Sequence, residues 1–194
     1  MIPSDGLPAI SADTPDWTRE AKAWWAWNPS KSLLASIRSY QRNRASRNPL
    51  RIVACKMAVI RHRIWSVVTG ADIPINSQIG GGLRMPHPNG IVIHPGARLG
   101  VNCMVFQQVT IGMRSDDGVP WIGGHVDIGA GAKVLGPVRV GDHASIGANA
   151  VVLDNIPEGA TAVGIPARVI SAKAGARPVK LKRVTQRELR SGTH

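Results

Sequence analysis

Imidazole is the side chain that moves protons most readily at neutral pH, and this 194-residue chain has six histidines. His87 lies between Pro86 and Pro88 in MPHPNGIV, a setting that by itself reads as structural. His87, His94, His125 and His143 supply enough imidazoles for a zinc site, if the fold brings three of them together. The two cysteines, Cys55 and Cys103, suggest neither a disulfide framework nor a zinc cluster. Buried free thiols are the simpler expectation, with a single bridge left open.

The elements that must position these groups announce themselves as a period of six. Aliphatic residues recur at Ile122, Ile128, Val134, Val140, Ile146 and Val152, and glycine follows four of them, as Gly123, Gly129, Gly141 and Gly147. An earlier block runs through Ile93, Leu99, Val105 and Ile111. A third runs through Ile73, Ile79, Met85 and Ile91, offset by two. A helix would space apolar residues by three and four, and an ordinary strand would alternate. Six fits short strands separated by corners, each aliphatic pointing inward and each glycine taking corner dihedrals that a Cβ would penalise. Coils stacked about 4.8 Å apart would then align the aliphatics in ladders.

Between Ile111 and Ile122, eleven residues replace six, which predicts a loop thrown out across MRSDDGVPW. Ahead of the repeat, 17–27, 30–43 and 49–68 read as helices, with Asp16 and Ser30 as caps and breaks at Asn28-Pro29 and Asn48-Pro49. Trp24, Trp25 and Trp27 read as core or as subunit interface. The chain therefore divides into an N-terminal helical region (1–70), a repeat domain (71–170) and a basic tail (171–194), the tail expected to fray or to wrap over a neighbour.

The net charge of +12 sits in the ends: 1–70 carries 11 Lys and Arg against 4 acids, 171–194 carries 7 against 1, and the middle carries 6 against 7. No basic stretch is interleaved with aromatics as in a nucleic-acid reader, so nucleic acid is not expected as a partner. The ends suit a membrane surface, an anionic glycan or the phosphates of a nucleotide cofactor. No apolar run nears the ~18 residues of a membrane span, and the first residues lack the pattern of a secretory signal; a cytoplasmic protein is expected.

The segment DIPINSQIGGGLRMPHPNGIVIHPGARLG, with QQVTIG, IGAGAKVLG, IGANAVVL and GIPARVI after it, resembles the serine acetyltransferases among the hexapeptide-repeat acyltransferases. The resemblance covers about 71–170. It implies a mainly β fold, a left-handed parallel β-helix of hexapeptide repeats behind the helical region, and a homotrimer, with a dimer of trimers as the alternative. It implies acetyl-CoA as cosubstrate, an acceptor hydroxyl and no metal. The family pairs an aspartate with a histidine fifteen residues later, and Asp72 and His87 match that pair. The histidine would act as general base toward the hydroxyl, and the carboxylate would hold its tautomer. Gly112, Ala130, Lys133, Ala148, Gly164 and Arg168, with Pro166, match positions around coenzyme A.

On the acceptor side the resemblance breaks. Similar serine enzymes have an aspartate where this chain has Pro86, and an Arg-His pair where it has Gly118 and Val119. Arg114, His94 and His125 are the available substitutes. The missing grips favour a sugar of a surface polysaccharide as acceptor, with L-serine as the alternative. Two more distant classes are a zinc lyase like the β-helical carbonic anhydrases, whose close histidine pair is absent here, and a binding scaffold without catalysis.

Overall fold

In the computed structural model, residues 10–116 and 118–172 are described. Two helices, α1 (Pro29–Asn43) and α2 (Pro49–Thr69), precede thirteen short strands. These are β1 (Gln78–Ile79), β2 (Val92–Ile93), β3 (Arg98–Leu99), β4 (Met104–Val105), β5 (Thr110–Gly112), β6 (Trp121–Ile122), β7 (Asp127–Ile128), β8 (Lys133–Leu135), β9 (Arg139–Val140), β10 (Ser145–Ile146), β11 (Val151–Val152), β12 (Ala160–Val163) and β13 (Arg168–Ala172).

The strands wind through three parallel sheets, in the orders β1-β3-β6-β9, β4-β7-β10-β12 and β2-β5-β8-β11, so each coil visits three faces. The periodic aliphatics fall into register as three inward columns: Ile79, Leu99, Ile122 and Val140; Val105, Ile128, Ile146 and Ala162; Ile93, Ile111, Val134 and Val152. All are buried, and side chains of this size contribute about 1.5–3 kcal/mol each when removed from water. Register also accounts for the irregular spacings. Trp121 pairs with Arg139, eighteen residues on, which is three sixes. Gln78 pairs with Arg98, twenty on, and Arg98 with Trp121, twenty-three on, so the offset of two and the surplus of five are corner insertions that leave the columns intact. β13 turns back antiparallel on β12 and covers the last coil. The tail beyond it lies outside the described residues.

The glycines work differently from the expectation. Gly80 and Gly129 are needed for close approach: a Cβ on either would stand 2.6 Å from backbone of the next coil. The left-handed corners are shared by glycines outside that periodic set, such as Gly82, Gly90 and Gly131, and by five residues with a side chain, Asn102, Gln108, His125, His143 and Asn149, with φ of 51 to 58°. Cβ strain there is modest for Asn and His, and the ladder of coils above and below fixes the conformation.

Both helices begin as Asn-Pro units. Asn28 and Asn48 are the caps, accepting from Lys31 N (3.1 Å) and Leu50 N (2.9 Å), with proline at the first position where its missing N–H costs nothing. Ser30 lies inside α1 and its hydroxyl donates to Asn28 Oδ1. Residues 17–27 do not form the expected helix. Only Trp17–Arg19 makes a 3-10 turn, capped by Asp16. The reason is tethering: Arg19 Nη1 donates to Asn102 O (2.7 Å), and Glu20 Oε1 accepts from Gly82 N (2.8 Å) and Leu83 N (3.1 Å), which pins the segment along the coils. Trp24, Trp25 and Trp27 are 86, 74 and 77% exposed, which rules out the core of this chain for them.

One charged clamp joins these parts. Arg38 of α1 donates to Ile79 O and Gly80 O, both at 2.6 Å, and pairs with Glu20 at 2.8 Å, the two side chains only 11 and 9% exposed. Glu20→Ala would leave a nearly buried guanidinium uncompensated and is expected to lower stability by about 3 kcal/mol. Urea denaturation checks this; an unchanged midpoint would remove the clamp from the account.

Candidate active site

Arg84 and Met85 follow strand alternation on the first coil. Met85 turns inward and is buried, while Arg84 points outward beside Met104. Pro86, His87 and Pro88 then round the corner toward β2, and Gly90, at φ 68°, donates its N–H to Gly70 O at 2.8 Å. This places His87, exposed, in an open cleft of about 700 Å³ between that corner and the start of α1. Arg19, Trp27, Asn28, Lys31 and Arg84 share the lining.

The corner after His87 heads a column. Asn89 O accepts from Gln108 N, Gln107 O from Gly131 N, Ala130 O from Asn149 N, and Gly164 O from Val151 N, at 2.8 to 3.0 Å. Ala130, Ala148 and Gly164 therefore stack along the corner that His87 begins, spanning about 20 Å at the usual coil spacing. Lys133 and Gly112 sit on the adjoining sheet, where Thr110 pairs with Lys133. Lys133 Nζ donates to Gly131 O (2.9 Å), and Arg168 meets Asp154 at 3.4 Å in an exposed pair, which holds little energy.

Asp72 is set on the first strand edge, bridged to Val92. It is exposed, it does not line the His87 cleft, and no hydrogen bond or ion pair joins it to His87 among the described residues. The inserted loop leaves a different corner: Val119 lies against Gly96, and Gly118 (φ 135°) against Pro137. None of Arg114, His94 and His125 lines the cleft. His94 Nδ1 accepts from Gly96 N (3.1 Å), and His125 and His143 face each other on a third corner with Nδ1 atoms 2.8 Å apart. The four candidate zinc histidines thus do not converge, and no three His, Cys, Asp or Glu side chains group for a metal among the described residues. Cys103 is buried, and burial pushes its thiol up to about 11; Cys55 is half-buried and also free.

Trp27 was read as core or subunit interface, and Arg19, Lys31 and Arg84 went unnoticed in the sequence. Arg84 was within reach of it, being the outward neighbour of an inward hexad residue in the same coil as His87. Arg19 carries no local signal, since only the tertiary tether brings it there. A larger groove of about 890 Å³ lies over the sheet of β1, β3 and β6 and contains none of the predicted site residues.

A family model described as bacterial transferase hexapeptide (six repeats) matches residues 120–154. The serine acetyltransferase of Synechococcus elongatus is 34% identical over 166 residues, covering 72% of this chain and 68% of that protein. The chain belongs to the serine acetyltransferase family. Among solved structures, a serine acetyltransferase in complex with CoA superposes with a TM-score of 0.61 at 33% identity, over 74% of this chain and 58% of that one. A Neisseria gonorrhoeae serine acetyltransferase in complex with serine gives 0.57 and 33%, over 72% and 54%. This serine acetyltransferase family member thus has the left-handed hexapeptide-repeat β-helix of a family of acetyl-CoA-dependent O-acetyltransferases, and it spans little more than half the length of those two structures.

Proposed function

We propose that the protein transfers the acetyl group of acetyl-CoA to the hydroxyl of L-serine, with His87 as general base. The observation that carries this reading is the shared corner: His87 opens the column on which Ala130, Ala148 and Gly164 lie. An extended pantetheine arm along that column brings its thioester end to the imidazole. His87 takes the hydroxyl proton as the oxygen attacks the thioester carbon, then returns it to the departing thiolate. Lys133 and Arg168 meet the cofactor phosphates, Arg168 by giving up its exposed pair with Asp154. Gly112 and Gly164 let the chain approach without a side chain. Asp72 enters this reading only through its match to the carboxylate of the family's pair, since no hydrogen bond or ion pair joins it to His87 among the described residues. The surface-polysaccharide sugar favoured by the missing grips has no support among the relatives named above, one of which holds serine, and L-serine takes its place.

The assembly proposed is a homotrimer. Leu50, Val53, Met57, Ile60, Ile64 and Val67 alternate by three and four along α2, and all six are exposed. That is the seam by which helices pack in coiled coils, and it leaves a continuous apolar stripe to be covered by other copies.

His87→Ala is expected to lower kcat by about 10²–10⁴-fold, the usual share of a general base, and Asp72→Asn by less. CoA release measured with L-serine and with sugar acceptors checks both readings. Unchanged turnover in H87A would overturn the base, and turnover only with sugars would overturn serine. Val53→Asp combined with Ile60→Asp is expected to convert the trimer to monomers in sedimentation analysis; an unaltered mass removes the α2 seam from the assembly.

A further inference from the structure

The charge around His87 is one-sided. Arg19, Lys31 and Arg84 face the cleft, and no Asp or Glu lines it. Neither guanidinium is held in an ion pair: the ion pairs among the described residues are Arg38–Glu20 and Arg168–Asp154. Arg19 spends Nη1 on Asn102 O, and its Nε is buried with no partner. The Arg84 guanidinium makes no hydrogen bond to the described chain, where only its backbone is bonded, to Cys103 and Val105, and Lys31 Nζ, bonded to Ala21 O (2.6 Å), keeps two further N–H donors. The cleft also meets the N-terminus of α1, whose dipole adds positive potential.

Holding like charges together while shedding water is costly unless an anion occupies the space between them. Burial, and after it the charge of Arg84, lowers the Arg19 pKa; Asp127 and Asp16 oppose this from a distance without pairing with it. Guanidinium suits the role because its planar fork matches a carboxylate through two parallel hydrogen bonds. An ammonium group in the same space meets three cations and no acid.

We infer that Arg19 and Arg84 form an anion grip that selects the acceptor by its carboxylate, and that the acceptor's ammonium group is not read. This rests on the acetyl-transfer reading above and specifies its acceptor class: short hydroxy acids. In L-serine one carbon separates the carbon bearing the hydroxyl from the carboxylate, so fixing the carboxylate at the grip holds the hydroxyl near the adjacent imidazole. Pro86 and Asn28 fit the same account, since neither offers a charge to an amine.

The test compares acceptors and one variant. 3-Hydroxypropionate, which lacks the amine, is expected to be acetylated at least as efficiently as L-serine, and ethanolamine, which lacks the carboxylate, to lose about 100-fold or more in kcat/KM. Arg84→Gln, at an exposed position, is expected to raise the KM for both acids about 10–100-fold, the worth of hydrogen bonds to a charged group, while the KM for acetyl-CoA does not follow. Arg84→Lys should recover part of the loss. Titration of inorganic phosphate into the full chain without acetyl-CoA, followed by the His87 ring signals in NMR, reads the grip independently of turnover. Phosphate binding that Arg84→Gln abolishes upholds the grip even if no acceptor releases CoA, in which case the acetyl-transfer reading fails alone. Ethanolamine turned over as well as serine, or an unchanged acceptor KM in Arg84→Gln, overturns the grip and leaves acetyl transfer standing.

Discussion

The spacing of one coil above the next is the constraint on which everything else depends. Parallel ladders fix it at about 4.8 Å, and the inward columns of Ile, Leu and Val are what hold the ladders together. At this spacing the corners leave no room for a Cβ at Gly80 or Gly129, so small residues are compulsory where coils touch. The same rule lets extra residues accumulate only at corners. Two enter between β1 and β3 and five between β3 and β6, and the pairing of Leu99 with Ile122 is undisturbed. Chemistry is therefore confined to corners and outward positions, because inward ones are spoken for.

A stack of coils has open ends and unpaired rims, and the N-terminal segments close the first of them. Leu33, Leu34 and Ile37 of α1 join the same buried cluster as Ile73, Leu83 and Ile91. His62 of α2 donates its Nε2 proton to Ile73 O at 2.8 Å. Glu20 ties both sides together, receiving Arg38 from α1 and two backbone N–H groups from the first coil. The tether that secures the fold also carries Arg19 and Trp27 to the His87 corner. Stability and site geometry are consequences of one set of contacts.

The sequence disclosed what repeats and hid what does not. Every residue of the sixfold series is buried, and all but Ile91, whose place in the column Ile93 takes, fall in register, because an inward column admits only one kind of side chain. Helices α1 and α2 were legible from their apolar periodicity and the breaks at Asn28-Pro29 and Asn48-Pro49, although the cap of α1 is Asn28 and not Ser30. Residues 17–27 were not, because their conformation is set by hydrogen bonds to Asn102, Gly82 and Leu83, more than 60 residues away. The corner conformations of Asn102, Gln108 and His125 were equally hidden: a ladder on both sides can impose a left-handed φ that local preference reserves for glycine. Of the site, His87 was identifiable through its resemblance to a family motif. Its cationic neighbours were not, since motif comparison looks for acids and an Arg-His pair at fixed positions and has no place for Arg19.

The uneven charge of the chain acquires a meaning from this geometry. Composition placed an excess of seven positive charges in residues 1–70, and a solvated basic surface would account for most such excesses. Two of those charges, Arg19 and Lys31, are instead carried by the tether and by the first turn of α1 to the cleft beside His87, where Arg84 of the coil joins them. A cleft lined by three cations and no acid favours an anionic ligand and repels a cationic one, so the charge excess bears on which acceptor can enter beside His87.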